Sequence, residues 1–182
     1  KQIEHLVNEF SDFARMPKPV IRKNSLIQLI DSNLILLKKI DEKIEITTNF
    51  DSKNKFNILC DYEQISRCFL NLIKNSIESI QEKALKTKDL DRKINIEINQ
   101  INDYIKLTII DNGVGFLENK AEEIVKPYFT TKKEGSGLGL SIVSKIINDH
   151  NGSISFKNTK SGAKIEILLP INNVSWNTYN RW

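Results

Sequence analysis

The sequence predicts an α/β fold, a two-layer sandwich in which one mixed sheet packs against helices. Strand-like alternation and helical apolar spacing succeed each other along the chain, and the strands arrive in adjacent pairs rather than singly between helices. At 182 residues the chain suits one hydrophobic core better than two. Paired strands, with no glycine motif after the first of them, exclude the doubly wound dinucleotide-binding fold.

The elements follow in order. Ile3, Leu6, Val7, Phe10 and Phe13 fall at helical spacing and predict the end of an amphipathic helix over 1–16. Met16-Pro17-Lys18-Pro19 stops it, because two prolines remove backbone donors and push their neighbours out of helix, so 17–23 reads as a short extended connector. The main unit spans 24–170. A helix from Asn24 to Lys39 is expected to turn Leu26, Leu29, Ile30, Leu34, Ile35, Leu37 and Ile40 into one broad apolar face, with Asn24 or Ser25 as its N-cap. Ile44–Phe50 alternates as a strand, Asp51-Ser52-Lys53-Asn54 turns the chain, and Phe56–Cys60 is expected to return beside it. Ile65, Cys68, Phe69, Leu72, Ile73, Ile77 and Ile80 then mark a long helix over Tyr62–Lys83.

After a charged connector, Ile94, Ile96, Ile98 and Ile105, Leu107, Ile109 alternate on either side of Asn102-Asp103, a hairpin. Asp111–Gly139 is irregular apart from a possible short helix over Glu118–Val125, and it holds five of the seven glycines. A helix over Gly137–Asp149, a strand through Ile154 and Phe156 after the Asn151-Gly152 turn, and a last strand over Ala163–Leu169 complete the unit. The tail, 171–182, lacks periodicity, and its Trp176, Tyr179 and Trp182 suit packing better than base stacking.

Hydrophobic residues at 40% and charged residues at 27%, with four prolines, exclude a disordered or fibrous chain. A net charge of +4 is too modest to imply nucleic acid. Cys60 and Cys68 lie in apolar runs, which predicts two core thiols in a reducing compartment rather than a disulfide framework. No run approaches the roughly 18 apolar residues of a spanning helix, so the chain is not expected to enter a membrane. Its start has neither an initiator methionine nor a signal pattern, which suggests a piece of a longer protein.

Three segments carry chemistry. Asn71, Asn75 and Glu78 share one side of the long helix, away from its isoleucines; alone they read as a solvated face or a fold-specific hydrogen bond. Asp111-Asn112-Gly113-Val114-Gly115 places a carboxylate at a strand end before a turn whose glycines allow close backbone approach. A carboxylate there accepts from an exocyclic amine and repels phosphate, so its target is a base ring, although an ordinary Asx-type turn has the same wording. Gly135-Ser136-Gly137-Leu138-Gly139-Leu140 opens a helix whose free amides can meet polyphosphate, without the lysine of a phosphate loop. A flexible linker is the plainer reading of that run.

Together, and in this order, the segments resemble the boxes of the catalytic and ATP-binding domain of two-component sensor histidine kinases, in the ATPase superfamily of gyrase and the ninety-kilodalton heat-shock chaperones. Asn71–Ser79 is similar to the asparagine box, Asp111–Gly115 to the first glycine box, Pro127-Tyr128-Phe129-Thr130-Thr131-Lys132 to the phenylalanine box, and Gly135–Leu140 to the second glycine box. The resemblance covers about Asn24–Pro170, with Ser161-Gly162-Ala163 similar to the turn before the family's closing strand. The phenylalanine box and Phe10–Pro19 look closest to the NtrY-like nitrogen-regulation sensor kinases.

The resemblance implies a histidine kinase/gyrase/chaperone-type ATPase fold with a long ATP lid over 116–136, using ATP and a magnesium ion (Mg2+). Asn75 would hold the magnesium, Asn71 would contact phosphate or water, and Glu78 is a further catalytic candidate. Asp111 would bind the adenine amine, with Gly113 and Gly115 passing the nucleotide. Phe129 would pack the lid, Lys132 would approach the phosphates, and Gly135, Gly137, Leu138 and Gly139 would let the lid and following helix close on them. The γ-phosphoryl group would pass to a histidine on an upstream dimeric hairpin, whose second helix 1–16 would end, and then to a response-regulator receiver domain.

The fragment carries no matching histidine box, so no autophosphorylation is expected of it alone. His5 is expected to be structural or exposed, and His150 to sit at a helix end where partial positive charge favours the dipole. The resemblance further implies a homodimeric full-length protein, with this domain cytoplasmic and any inner-membrane anchor upstream. Two other classes fit parts of the pattern, a water-activating ATPase and a serine-kinase or anti-sigma module. The first is disfavoured because Asn71 stands where such an ATPase has its glutamate, and the second because the segment before residue 20 looks like a sensor-kinase join.

Overall fold

The computed structural model describes residues 11, 16–37, 40–50, 56–117, 123–130 and 135–172. In chain order they form β1 (Arg22–Ser25), α1 (Leu26–Leu37), β2 (Glu45–Asn49), β3 (Asn57–Cys60), α2 (Tyr62–Lys86), β4 (Lys93–Ile101), β5 (Tyr104–Asp111), α3 (Gly139–Asp149), β6 (Ser153–Asn158) and β7 (Ala163–Pro170). The five-stranded sheet has the order β2-β4-β5-β7-β6, parallel between β2 and β4 and antiparallel elsewhere.

The alternation in β4, β5 and β7 turns Ile94, Ile96, Ile98, Ile105, Leu107, Ile109, Ile165, Ile167 and Leu169 into the core. There they meet Leu26, Leu29 and Ile30 of α1, Phe69, Leu72 and Ile73 of α2, and Ile142, Val143 and Ile146 of α3. On the other side of the sheet Glu166 pairs with Lys164 at 2.9 Å, with Lys106 and Lys157 farther off.

The helix starts have identifiable causes. The Ser25 hydroxyl accepts from Gln28 N at 3.4 Å ahead of α1, which selects Ser25 over Asn24 as the cap. The Asp61 carboxylate accepts from Gln64 N at 3.1 Å and caps α2. It also accepts from Val20 N at 2.8 Å, while Gln64 Nε2 donates to Pro17 O at 3.0 Å, so the connector is tied to the base of α2.

Three expectations are corrected. Ile35 and Ile40 are exposed rather than on the apolar face of α1, because Ile35 lies on its outer side and α1 ends at Leu37. β2 and β3 do not pair with each other: β2 lies parallel to β4, and β3 joins β1 in a separate antiparallel ribbon running from Arg22↔Cys60 to Ser25↔Asn57. Alternation assigns faces but not partners, and the choice is made by what each strand packs on. His150 is no charged helix end either. It is buried; its Nε2 accepts from Asp61 N at 2.9 Å, so Nδ1 carries the proton donated to Ile146 O at 2.7 Å. Burial lowers its pKa from 6.5 and keeps the ring neutral.

The core cysteines are as expected, both buried and free. Of the short helix predicted over Glu118–Val125, residues 123–125 form a turn and the rest lies outside the described residues, as do His5, Phe10, Phe13, the Asp51–Asn54 turn, Lys132 and the aromatic tail. Among the described residues no helix is long and apolar enough to cross a membrane.

Candidate functional site

β5 carries Asp111 to the edge of the core, where its side chain is 3% exposed. Oδ1 accepts from Gly113 N at 2.9 Å and Ala163 N at 3.3 Å, and Oδ2 accepts from the Ser76 hydroxyl at 3.0 Å. Burial pushes its pKa up from 3.8, opposed by these three hydrogen bonds and by the charge of Lys83. A carboxylate with one oxygen held by two backbone amides and the other by one hydroxyl is fixed in orientation, and Oδ2 keeps acceptor capacity for a ligand N–H.

The turn after Asp111 is seated on α2. Val114 N donates to Ser79 Oγ at 3.0 Å and to Ser79 O at 3.3 Å. A Cβ on Gly113 would lie 2.3 Å from Ser79 Oγ, so glycine is required there by packing on the helix. Lys83, one turn on, donates Nζ to Asn112 O at 3.0 Å and also to Ser161 O, bridging the loop to the β6–β7 turn. Gly115 has φ +77°, and Phe116 beyond it exchanges hydrogen bonds with Asn158.

The second glycine segment leads into α3. Tyr128 N donates to Gly137 O at 3.0 Å, and Gly137, at φ +70°, has no room for a Cβ, which would meet Tyr128 C at 2.5 Å. Leu138 is fully buried and donates its N to Ser136 Oγ, while Ser141 Oγ donates to Leu138 O. α3 then begins at Gly139, and among the described residues no side chain caps it and nothing lies within 4 Å of where a Gly139 Cβ would stand. Room beside an uncapped helix N-terminus is what an anionic group needs.

The candidates are distributed as follows. Asn71 and Asn75 are half-buried on the flank of α2, and Glu78 is exposed. Ser76, Ser79 and Lys83 of the same helix hydrogen-bond the Asp111 loop, the two serines next to Asn75 and Glu78. Phe129 is half-buried with its N on Lys126 O, Gly135 is exposed, and Lys132 lies outside the described residues. Among the described residues no three His, Cys, Asp or Glu side chains gather to hold a metal. Sequence reasoning missed Ser76, Ser79, Lys83 and Asn158. The i, i+3 serines beside the isoleucine face were a usable signal, whereas nothing local distinguishes Lys83 or Asn158 from their many counterparts.

Fold and site together define an ATPase-type α/β domain: a carboxylate fixed at a strand end, a glycine turn seated on a helix, and a glycine segment opening a helix that no described side chain caps. The chain belongs to the histidine kinase-, DNA gyrase B- and HSP90-like ATPase family, whose pattern residues 60–173 match. It is 31% identical over 169 residues, 93% of its length, to the nitrogen regulation protein NtrY of Azorhizobium caulinodans, and 32% identical over 171 residues to a putative sensor histidine kinase NtrY-like of Rickettsia prowazekii. The chain covers 22% and 27% of these relatives, about a quarter of their length. The catalytic domain of histidine kinase ThkA superposes with a TM-score of 0.73 at 26% identity, covering 84% of this chain and 97% of that one. A structure of ThkA in complex with response regulator protein TrrA shares the fold at a TM-score of 0.78 and 24% identity, covering 94% of this chain and 48% of that one.

Proposed function

We propose that this chain is the ATP-binding catalytic domain of a sensor histidine kinase, which directs the ATP γ-phosphoryl group to a histidine on an upstream helical hairpin for relay to a response-regulator aspartate. The observation that carries the reading is Asp111, buried at a strand end with its carboxylate held in one orientation by Gly113, Ala163 and Ser76. The relatives' names and the ThkA complex with a response regulator support the transfer steps.

In this reading Asp111 accepts from the exocyclic amine of adenine, a donor that suits its carboxylate. Phosphates lie toward the start of α3, where Gly135, Gly137, Leu138 and Gly139 bring backbone close, and Lys132 contributes charge. Asn75 offers an amide oxygen to magnesium and Asn71 assists at phosphate or water. This fits an ion that takes few protein ligands when phosphates and water supply the rest. Bound magnesium neutralises charge on the transferring group. The protein's own part is positioning, with Phe129 packing the segment between the glycine boxes and Glu78 the most peripheral candidate. We place the domain in the cytoplasm of a homodimeric protein whose membrane anchor, if it has one, lies upstream.

Titration calorimetry tests the site. Magnesium-ATP binding to the chain is expected to weaken strongly in Asp111→Asn and in Asn75→Ala; tight binding unchanged by both substitutions refutes it. Labelled ATP mixed with the chain and a separately made hairpin should give acid-labile phosphohistidine on the hairpin.

A further inference from the structure

We propose that Asn158 is a positioning residue for the nucleotide site, holding the backbone of Phe116 and so fixing the downstream end of the Asp111–Phe116 loop. The inference rests on the reading of that loop as the adenine-binding segment and adds a residue to it. Asn158 ends β6, 42 positions from Phe116, yet its Oδ1 accepts from Phe116 N at 2.7 Å and its Nδ2 donates to Phe116 O at 2.8 Å. This is the two-bond exchange of an antiparallel strand pair, made by a side-chain amide in place of a peptide group. β6 is the edge strand of the sheet, and the amide at its end ties the loop to it.

Neighbouring contacts point the same way. The Phe116 ring meets Phe156 edge-on at 5.6 Å and 84°. A Cβ on Gly115 would lie 2.8 Å from Asn158 Oδ1, so glycine is needed there to admit the amide as well as for its φ of +77°. A Cβ on Gly162 would lie 2.3 Å from Asp111 O, which shows how closely the β6–β7 turn backs the loop. The loop is therefore held at Asp111 by Ser76 and Ala163, at its middle by Ser79 and Lys83, and at its end by Asn158. Both Asn158 bonds are at the surface, so their loss returns Phe116 to water and alters loop geometry more than global stability.

The test compares the 182-residue chain with Asn158→Ala and with Asn158→Asp, which keeps the acceptor and loses the donor. Without nucleotide, exchange of the Phe116 amide, read by NMR, should speed up about tenfold or more in Asn158→Ala. The Kd for magnesium-ATP should rise about 5- to 20-fold, with Asn158→Asp between, while the thermal midpoint stays within about 3 °C of wild type. Phe116 exchange as slow in Asn158→Ala as in wild type overturns the proposal, as does unchanged ATP affinity despite fast exchange. A collapsed thermal midpoint in both variants overturns it too, by making the residue structural. A wild-type chain that binds no magnesium-ATP refutes the site reading itself; wild-type binding with unchanged variant affinity refutes only the role of Asn158.

Discussion

Asp111 is a charge that the fold holds at a cost. Its pKa is raised above 3.8 by burial, so the unfolded chain ionises first as pH rises, and above the folded value the native state bears the penalty; the penalty is relieved as pH falls through that value toward 3.8. Asn is isosteric and can keep all three contacts, its oxygen accepting from Gly113 and Ala163 and its amide donating to Ser76. Asp111→Asn is therefore expected to melt at or above the wild-type temperature at pH 7 while losing at least about thirtyfold in magnesium-ATP affinity, since a donor now faces the ligand's amine. Loss of folding together with loss of binding would return Asp111 to a purely structural role.

His150 has the opposite sign. Its pKa is lowered from 6.5 by burial, against the favourable pull of its bond to Ile146 and the charges of Asp61 and Asp149. Its contribution to stability is full above about pH 6.5 and is lost as pH falls from there toward the folded value. Urea midpoints between pH 7.5 and 5.5 should drop more steeply for wild type than for His150→Gln; equal slopes would mean that His150 does not titrate on unfolding.

At the scale of elements, the two glycines around Leu138 separate fold from function. Gly137 is demanded by the chain itself, at φ +70° against Tyr128, whereas none of the described residues crowds a Cβ at Gly139. Gly137→Ala should destabilise by about 1–3 kcal/mol, from left-handed strain and backbone collision. Gly139→Ala should leave stability unchanged or raise it by up to about 1 kcal/mol, and yet weaken ATP binding. Thermal unfolding beside ATP titration reads both, and undiminished ATP binding by Gly139→Ala would remove Gly139 from the site.

These elements also show what the sequence makes legible. α1, α2 and the β4–β5 hairpin were readable because spacing of apolar residues, a serine cap and an Asn-Asp turn are local signals. The parallel pairing of β2 with β4 and the ribbon of β1 with β3 were not, because a period of two marks faces and leaves the partner to tertiary packing. The site divides the same way. Asp111 and the glycine runs stood out by residue type, while Lys83 and Asn158 act across 29 and 42 residues, beyond any local pattern.

For the whole molecule, the two thiols report whether ribbon and sandwich unfold together. Cys60 ends β3 in the ribbon, with its pKa pushed up by burial to about 11, and Cys68 lies on α2 against Val143 O, its pKa raised still further by burial. At pH 8 both are protonated and covered, so alkylation requires opening. Leu26, Leu29 and Ile58 join the ribbon and α1 to the same core as Phe69 and Ile147, which predicts one cooperative unit. Mass spectrometry of chains pulsed with a thiol reagent across a urea series should find unlabelled and doubly labelled species with a single midpoint. Under the proposed function, saturating magnesium-ATP should move that midpoint upward for both thiols alike, by about 2.7 kcal/mol at a hundredfold excess over Kd. A species labelled on Cys60 and not on Cys68 would instead show that the ribbon opens first, and nucleotide would then protect Cys68 while leaving Cys60 at its original midpoint.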